Sequence, residues 1–492
     1  MTEPDRSKLI AWLPEFVYTG GQFKHQLAVV SNREGTIEEI VGVDQLTGEK
    51  QINLPRRAVL PGMVNAHSHA FQRVLRGRTE YRTSDQRDSF WTWREMMYSA
   101  ATRLSPEDVY DASRMAFLEM ALSGITSVGE FHYLHHAPDG QPYDDPNLLA
   151  KEVARAANDV GLRIALLRVA YARSGFQTEA NPRQVRFIES PDAYLQSLGS
   201  LISDLGGEAS QENLNGSDSN GALPDGRASD TAWVGVAPHS VRAVPLEYLR
   251  SVISYANEHS LKTHMHVAEQ PAEVSACVEE YGRTPTALLE SEGLLGPDFT
   301  AVHAIHVTPK AIAAFAKTGA IVCACPTTER NLGDGVVPAD EYQKNGVAIC
   351  LGSDSHAQID LLEDARELEY HARLQKLERA VLNPSGRSDT PAADTARYLF
   401  DCATVNGARS IGAPGGALAP GKPADFFAVD LDDPSIAGAS QDDLLAGIVF
   451  TLSRAAVREV VIGGKPVVSE GQHLIQEEVV ERFTDLQKKL WG

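Results

Sequence analysis

The sequence predicts an α/β protein: a (β/α)8 TIM-like barrel joined to a small β-sandwich domain built from both chain ends. Three observations predict it. From residue 61 to 405, short β-rich runs alternate with helical stretches, the pattern of βα units and a parallel sheet. Residues 1 to 60 read as short strands broken by turns, and short strands return within residues 406 to 492. A chain of 492 residues is also too long for one ordinary core, so two structural units are expected.

In chain order, HQLAVVSN, GTIEEIVGV and RRAVLPG are the first strands. The barrel strands follow as GITSVGEF, RIALLRVAYA, WVGVAPHS, LKTHMHVAE, TAVHAIHV, GAIVCACP and GVAICLGSDS, separated by stretches such as the helical SPEDVYDASRMAFLEMALS. Around eight such units close a barrel. ADFFAVD and REVVIGGKPVV return to the β domain, and EEVVERFTDLQKKLWG forms a last helix. Residues 204–231 are rich in Gly, Ser, Asn and Asp and poor in large apolar groups. Such a segment cannot offset the entropy of ordering, so a mobile surface loop is expected there.

Charge and cysteine usage narrow the class of function. Lys plus Arg number 45 against 66 Asp plus Glu, a net charge of -21, which argues against nucleic acid as a partner. A few local arginines can still reverse the sign of the potential inside a pocket. Five cysteines without CxxC spacing fit a reducing compartment. The opening MTEPDRSKLIAWLPEF lacks the apolar core of a signal peptide, and no apolar run is long enough to span a bilayer. A cytoplasmic location, with no membrane partner, is the expectation.

The stretch PGMVNAHSHAFQR, residues 61–73, carries the first chemical signal. His67 and His69 are two apart, so in an extended strand both imidazoles face one side. Further polar groups end other predicted barrel strands: Glu130 and His132 in GEFHYLHH, His266 with Glu269 in HMHVAEQ, His303 in VHAIH, and Asp354 in LGSDSH. Strand C-terminal ends are where such barrels build their sites. Singly, each is a capping or core polar residue; their repetition points to a shared site. Three imidazoles and a carboxylate suit zinc or iron, and His67, His69, His266 and Asp354 supply that set. Spacing alone does not choose between His264 and His266, nor between His303 and His306. Cys323 and Cys325 lack the spacing of a metal site and read as barrel packing. Trp91 and Trp93 fit a pocket wall or simple packing, and His135 and His136 read as loop residues.

The PGMVNAHSHAFQR start, the H-x-x-E at 266–269, His303 and the Ser-Asp at 353–354 resemble the metal-dependent amidohydrolase superfamily of mononuclear deaminase type. The resemblance spans nearly the whole chain, including the GKPADFFAVD return. It implies that His266 rather than His264 binds the metal, that His303 is the catalytic histidine beside it, and that the protein is a homodimer. Within the superfamily, DSFWTWREMMY, GEFHYLHH, CPTTERNLGDG, SHAFQR and APHSVRAV resemble the formimidoylglutamate deiminases. These convert N-formimidoyl-L-glutamate and water to N-formyl-L-glutamate and ammonia in histidine degradation. By residue-wise match the substrate contacts are Gln72, Arg94, Tyr133, His239 and Arg242. The loop at 204–231 looks like an insertion into the family pattern.

The physics of that substrate agrees with these residues. It carries two carboxylates and a formamidine, so its pocket needs cationic forks at one end and a carboxylate at the other. Arg94 and Arg242 can each grip a carboxylate through charge-assisted bonds of ~1.5 to 3 kcal/mol. At the reacting end, Asp354 is expected to accept the proton of the attacking water, His303 to hydrogen-bond its oxygen, and Glu269 to protonate the departing nitrogen. No lysine sits in a context suggesting a carbamylated bridge, so one divalent ion is expected, Zn2+ first and Fe2+ second. The alternative reading is another deaminase of the superfamily, acting on guanine, a triazine or an adenosine derivative.

Overall fold

A computed structural model describes residues 6–81, 90–178, 181–206, 231–384 and 393–492. The chain starts with β1 (Ile10–Thr19), β2 (Gln22–His25), β3 (Leu27–Ser31), β4 (Ile37–Gly42) and the long β5 (Lys50–Pro61). Eight strands then come one per βα unit: β6 (Met63–Ser68), β7 (Ile125–His132), β8 (Arg163–Ala170), β9 (Ala232–Pro238), β10 (Thr263–Val267), β11 (Phe299–His303), β12 (Ile321–Ala324) and β13 (Ile349–Leu351). Last come β14 (Phe426–Asp430), β15 (Val457–Ile462), β16 (Lys465–Ser469) and β17 (Gln472–His473).

Strands β6 to β13 pair in parallel and in sequence order. A parallel bridge between Ser68 and Asp354 joins the last unit to the first. A parallel sheet covered by helices leaves neither face to water, and accordingly every residue of β6, β7, β8, β10, β11, β12 and β13 is buried. The expected α/β barrel is therefore present, with helices outside it. The stretch read as SPEDVYDASRMAFLEMALS becomes the helix Pro106–Leu122, and its start is dictated locally. Ser105 and Asp108 form a capping box with Pro106 at the first helical position.

The second sheet has nine strands drawn from both chain ends, in the order β17-β16-β15-β14-β5-β1-β3-β4 with β2 on β1. Its central strand β14 reads FFAVD because both of its faces are covered. Phe426 and Ala428 face the sheet's own cluster with Trp12, Val29 and Val59, while Phe427 and Val429 face the main core shared with the barrel. Only Gly62 separates β5 from β6. A Cβ at that position would lie 2.2 Å from Thr126 Oγ1, so the chain enters the barrel through the one residue that fits.

The final helix, Gln476–Trp491, buries Val479, Phe483, Leu486 and Leu490 at three- and four-residue spacing. It lies on Pro106–Leu122, where Arg482 reaches Asp111 at 2.7 Å and Lys489 reaches Asp108 at 2.6 Å. The helix Pro191–Gly206 runs through residues 204–206. The rest of the loop expected over 204–231, residues 207–230, lies outside the described residues.

Candidate metal centre and cavity

Four ligand groups meet at the C-terminal end of the barrel. Donor atoms of His67, His69, His266 and Asp354 all lie within 4.8 Å of one another, and all four side chains are buried. Asp354 Oδ1 is 3.3 Å from His67 Nε2 and 3.2 Å from His69 Nε2, and His266 Nε2 is 3.2 Å from His67 Nε2. Two of the imidazoles have their tautomer set from behind. His69 Nδ1–H donates to the Phe131 carbonyl at 2.9 Å, and His266 Nδ1–H donates to the His239 carbonyl at 3.1 Å. Each Nε2 lone pair then points into the cluster, where unshielded lone pairs at such separations repel. A cation at their centre turns that repulsion into ligation, so the donor set fits a divalent metal.

The local backbone explains how scattered residues reach one point. His67 and His69 lie at the end of β6, His266 near the end of β10 and His303 at the end of β11. His264 lies on the same face of β10 but one layer lower, bonded through Nε2 to Ser410. His306 is turned away, donating from Nε2 to the Asp334 carbonyl at 2.9 Å. Several residues around the cluster are held at positive φ: Ala268 (51°), His303 (68°), Ala304 (48°), Asp354 (45°) and His356 (62°). Each costs ~1 to 3 kcal/mol, and such strain collects where side-chain aim is constrained.

Further polar groups stand beside the ligands. His303 Nε2 is 3.9 Å from Asp354 Oδ2 and 3.9 Å from Glu269 Oε1, while its Nδ1 is 3.1 Å from Glu329 Oε1. Burial by itself would lower the His303 pKa, but the charges of Glu269, Glu329 and Asp354 raise it to about 10. Burial and then Asp354 push the Glu269 carboxyl up, in the direction that lets a carboxylic acid deliver a proton.

A cavity opens over this cluster, lined among others by Gln72, Arg94, Tyr133, His239, Arg242 and Glu269. Gln72 donates to Tyr133 Oη at 2.7 Å, leaving Gln72 Oε1 buried and without a partner among the described residues. Arg94 Nε and Nη1 and Arg242 Nη1 are likewise buried donors with no partner there. Orphaned guanidinium donors are costly, and an anion entering the cavity satisfies them. The Arg94 guanidinium lies 4.5 Å from the Trp91 ring centre. His239 is held neutral by burial and by the nearby Arg242 charge, both of which lower its pKa.

Some strand-end groups singled out in the sequence stand apart from the cluster. On β7 it is Phe131 that faces the ligands, 5.0 Å from the His67 ring and 5.2 Å from the His69 ring. Strand alternation turns Glu130 and His132 the other way. Glu130 accepts from Ser68 Oγ and, at 2.7 Å, from the Ala70 amide, so it braces the turn after β6. His135 and His136 donate to the carbonyls of Val169 and Ile188. Sequence reasoning passed over Glu329, Tyr98 and Tyr171, which also belong to the site. Glu329 follows Cys325 by one helical turn within CPTTERNLGDG, where Arg330 beside it gives it the look of an ordinary surface acid. Tyr98 and Tyr171 line the cavity and share the Gln184 amide at 2.7 and 2.8 Å.

The chain matches the sequence pattern of the amidohydrolase family over residues 58–467. It is 38% identical over 430 residues to a formimidoylglutamate deiminase from Pseudomonas aeruginosa, covering 87% of this chain and 88% of that one. A 5-methylthioadenosine/S-adenosylhomocysteine deaminase from Haloarcula marismortui is 27% identical over 480 residues, covering 96% and 95%. Among solved structures, an amidohydrolase from Brucella melitensis superposes with a TM-score of 0.84 at 32% identity, covering 98% of this chain and all 100% of its own. An adenosine deaminase from Xanthomonas campestris with bound zinc gives a TM-score of 0.78 at 22% identity, covering 98% of each chain, a likeness of fold alone.

Proposed function

The chain belongs to the amidohydrolase family, hydrolases of carbon–nitrogen bonds, and from that premise we propose that it hydrolyses N-formimidoyl-L-glutamate to N-formyl-L-glutamate and ammonia in histidine degradation. The observation that carries this reading is the pairing of two guanidiniums with unsatisfied buried donors, Arg94 and Arg242, with a buried carboxylate, Glu269, in one cavity. That charge pattern mirrors a dicarboxylate bearing a cationic amidine. A purine or triazine ring instead calls for stacking faces and amide partners along its edge.

In this reading His67, His69, His266 and Asp354 hold one divalent ion, Zn2+ before Fe2+. Such an ion supplies Lewis-acid activation of water near neutral pH. Arg94 and Arg242 clamp the glutamate carboxylates, while Gln72, Tyr133 and His239 orient the formimidoyl arm. Asp354 takes the proton of the attacking water at its carboxylate. His303, aimed by Glu329 at its Nδ1, hydrogen-bonds from Nε2 to the incoming oxygen as the carbon becomes tetrahedral. Glu269 holds the amidinium as a carboxylate, takes a proton from its nitrogen and returns it as the carbon becomes tetrahedral. The hydroxyl proton shed as the carbonyl forms follows by the same carboxylate, so the nitrogen leaves as ammonia and Asp354 gives its proton to solvent. Attack on a delocalised amidinium requires that its resonance be broken as the nitrogen is protonated, which is why the two carboxylates have separate tasks.

Ammonia release from N-formimidoyl-L-glutamate, run beside guanine and 5-methylthioadenosine, tests the assignment. Turnover of the formimidoyl substrate alone is expected. Faster release from either purine would replace the reading with a purine deaminase, for which the Haloarcula likeness is the precedent. A cytoplasmic homodimer is part of the same reading. Among the described residues, no helix is long and apolar enough to cross a membrane.

A further inference from the structure

A second convergence of ligand atoms lies against the first, and the proposed reaction does not use it as one. His303, Cys325 and Asp354 offer donor atoms within 4.8 Å of one another, and all three side chains are buried. Asp354 serves the two groups with different oxygens: Oδ1 faces His67 and His69, while Oδ2 is the oxygen 3.9 Å from His303 Nε2. Behind His303, the Glu329 carboxylate accepts from Nδ1 at 3.1 Å and is itself fixed by the Cys325 amide at 2.9 Å. A carboxylate at the far nitrogen is the arrangement that orients a metal-ligating histidine and raises its basicity. Cys325 packs in the barrel core, as its spacing led one to expect, and its sulfur also lies within reach of the His303 and Asp354 donors.

We propose that His303, Cys325 and Asp354 form a second, inhibitory site for a thiophilic divalent cation, Zn2+ or Cd2+, bound in excess of the first ion. Binding releases the Cys325 thiol proton, and any proton on His303 Nε2, to solvent as the metal–sulfur and metal–nitrogen bonds form. A thiol buried from water gives up its proton only to a cation with strong affinity for sulfur, so Mg2+ and Ca2+, which prefer oxygen ligands, are excluded. Occupation removes His303 from the incoming oxygen and ties up the Asp354 oxygen facing it, so turnover stops while the first ion stays in place. The inference rests on the reading of His67, His69, His266 and Asp354 as the first metal site.

The test starts from protein carrying one equivalent of Zn2+, to which Cd2+ is added. Bound metal is counted by elemental analysis after equilibrium dialysis, and the ultraviolet cadmium–thiolate charge-transfer band is followed. The expected result is a second equivalent whose uptake brings in the thiolate band and abolishes turnover, with the zinc retained. In Cys325→Ser the band is lost and the second equivalent binds ~100-fold more weakly or worse, each rate being referred to that variant's own rate without added cadmium. Wild-type protein that takes up no second equivalent, or takes it up without the band, overturns the proposal even if Cys325→Ser fails to fold. So does a Cys325→Ser protein that binds the second ion as tightly as wild type. Failure of the underlying reading is separate: the first equivalent of zinc would then be absent or unaffected by His266→Ala.

Discussion

Arg242→Met keeps an unbranched apolar stem and removes the guanidinium with its charge. Because Arg242 is not among the metal-binding donors, kcat/KM for N-formimidoyl-L-glutamate should fall ~100-fold or more while bound metal stays unchanged. Unaltered kinetics would place the substrate carboxylates elsewhere. Glu269→Gln tests the opposite end of the cavity: substrate binding should persist while kcat falls ~100 to 10,000-fold, and a near-normal kcat would refute its part in proton delivery. At this scale the sequence was informative where spacing has a direct geometric meaning. His67 and His69 share a strand face because they are two apart, but the same rule puts His264 and His266 on one face, and only the layer at which each sits separates them. Glu329 was invisible because its role depends on a contact with His303, 26 residues away in sequence.

Gly352, just beyond β13, shows what the barrel seam demands. A Cβ there would lie 2.7 Å from His67 Cβ and 2.9 Å from the His67 carbonyl, so Gly352→Ala must push β6 and its ligand away. Metal affinity, read by dialysis against a chelator, should drop ~10 to 100-fold, and urea should unfold the variant with a loss of ~1 to 3 kcal/mol. Affinity equal to wild type would mean that the seam is slacker than its packing suggests. Most elements were legible because each carries its own local instruction. Ser105, Pro106 and Asp108 announce a helix, and the unbroken burial of β8 matches the apolar residues that make up most of it. The bracing role of Glu130 was not legible, since a polar residue at a strand end looks the same whether it faces the cavity or the turn beside it.

At the scale of the molecule, the two ends of the chain hold the barrel through β14. Phe427 sits in the core common to both units, against Gly124 at the foot of β7. Phe427→Ala should cost ~3 to 5 kcal/mol in urea unfolding, with folded protein retaining its metal and its kcat/KM, because the lost volume lies far from the cavity. A matching loss of activity per folded molecule would show that the sheet shapes the site as well as supporting it. The overall architecture was readable from the alternation of strand and helix, whereas the closure of the barrel by Ser68 and Asp354 depends on residues 286 positions apart. Everything in the proposed chemistry depends on that closure bringing four ligands onto one ion. The most direct test is metal content measured beside ammonia release from N-formimidoyl-L-glutamate, before chelation, after it, and after one equivalent of Zn2+ is restored. One ion per chain, with turnover lost and regained in step with it, is the predicted result; full turnover in metal-free protein would contradict the account.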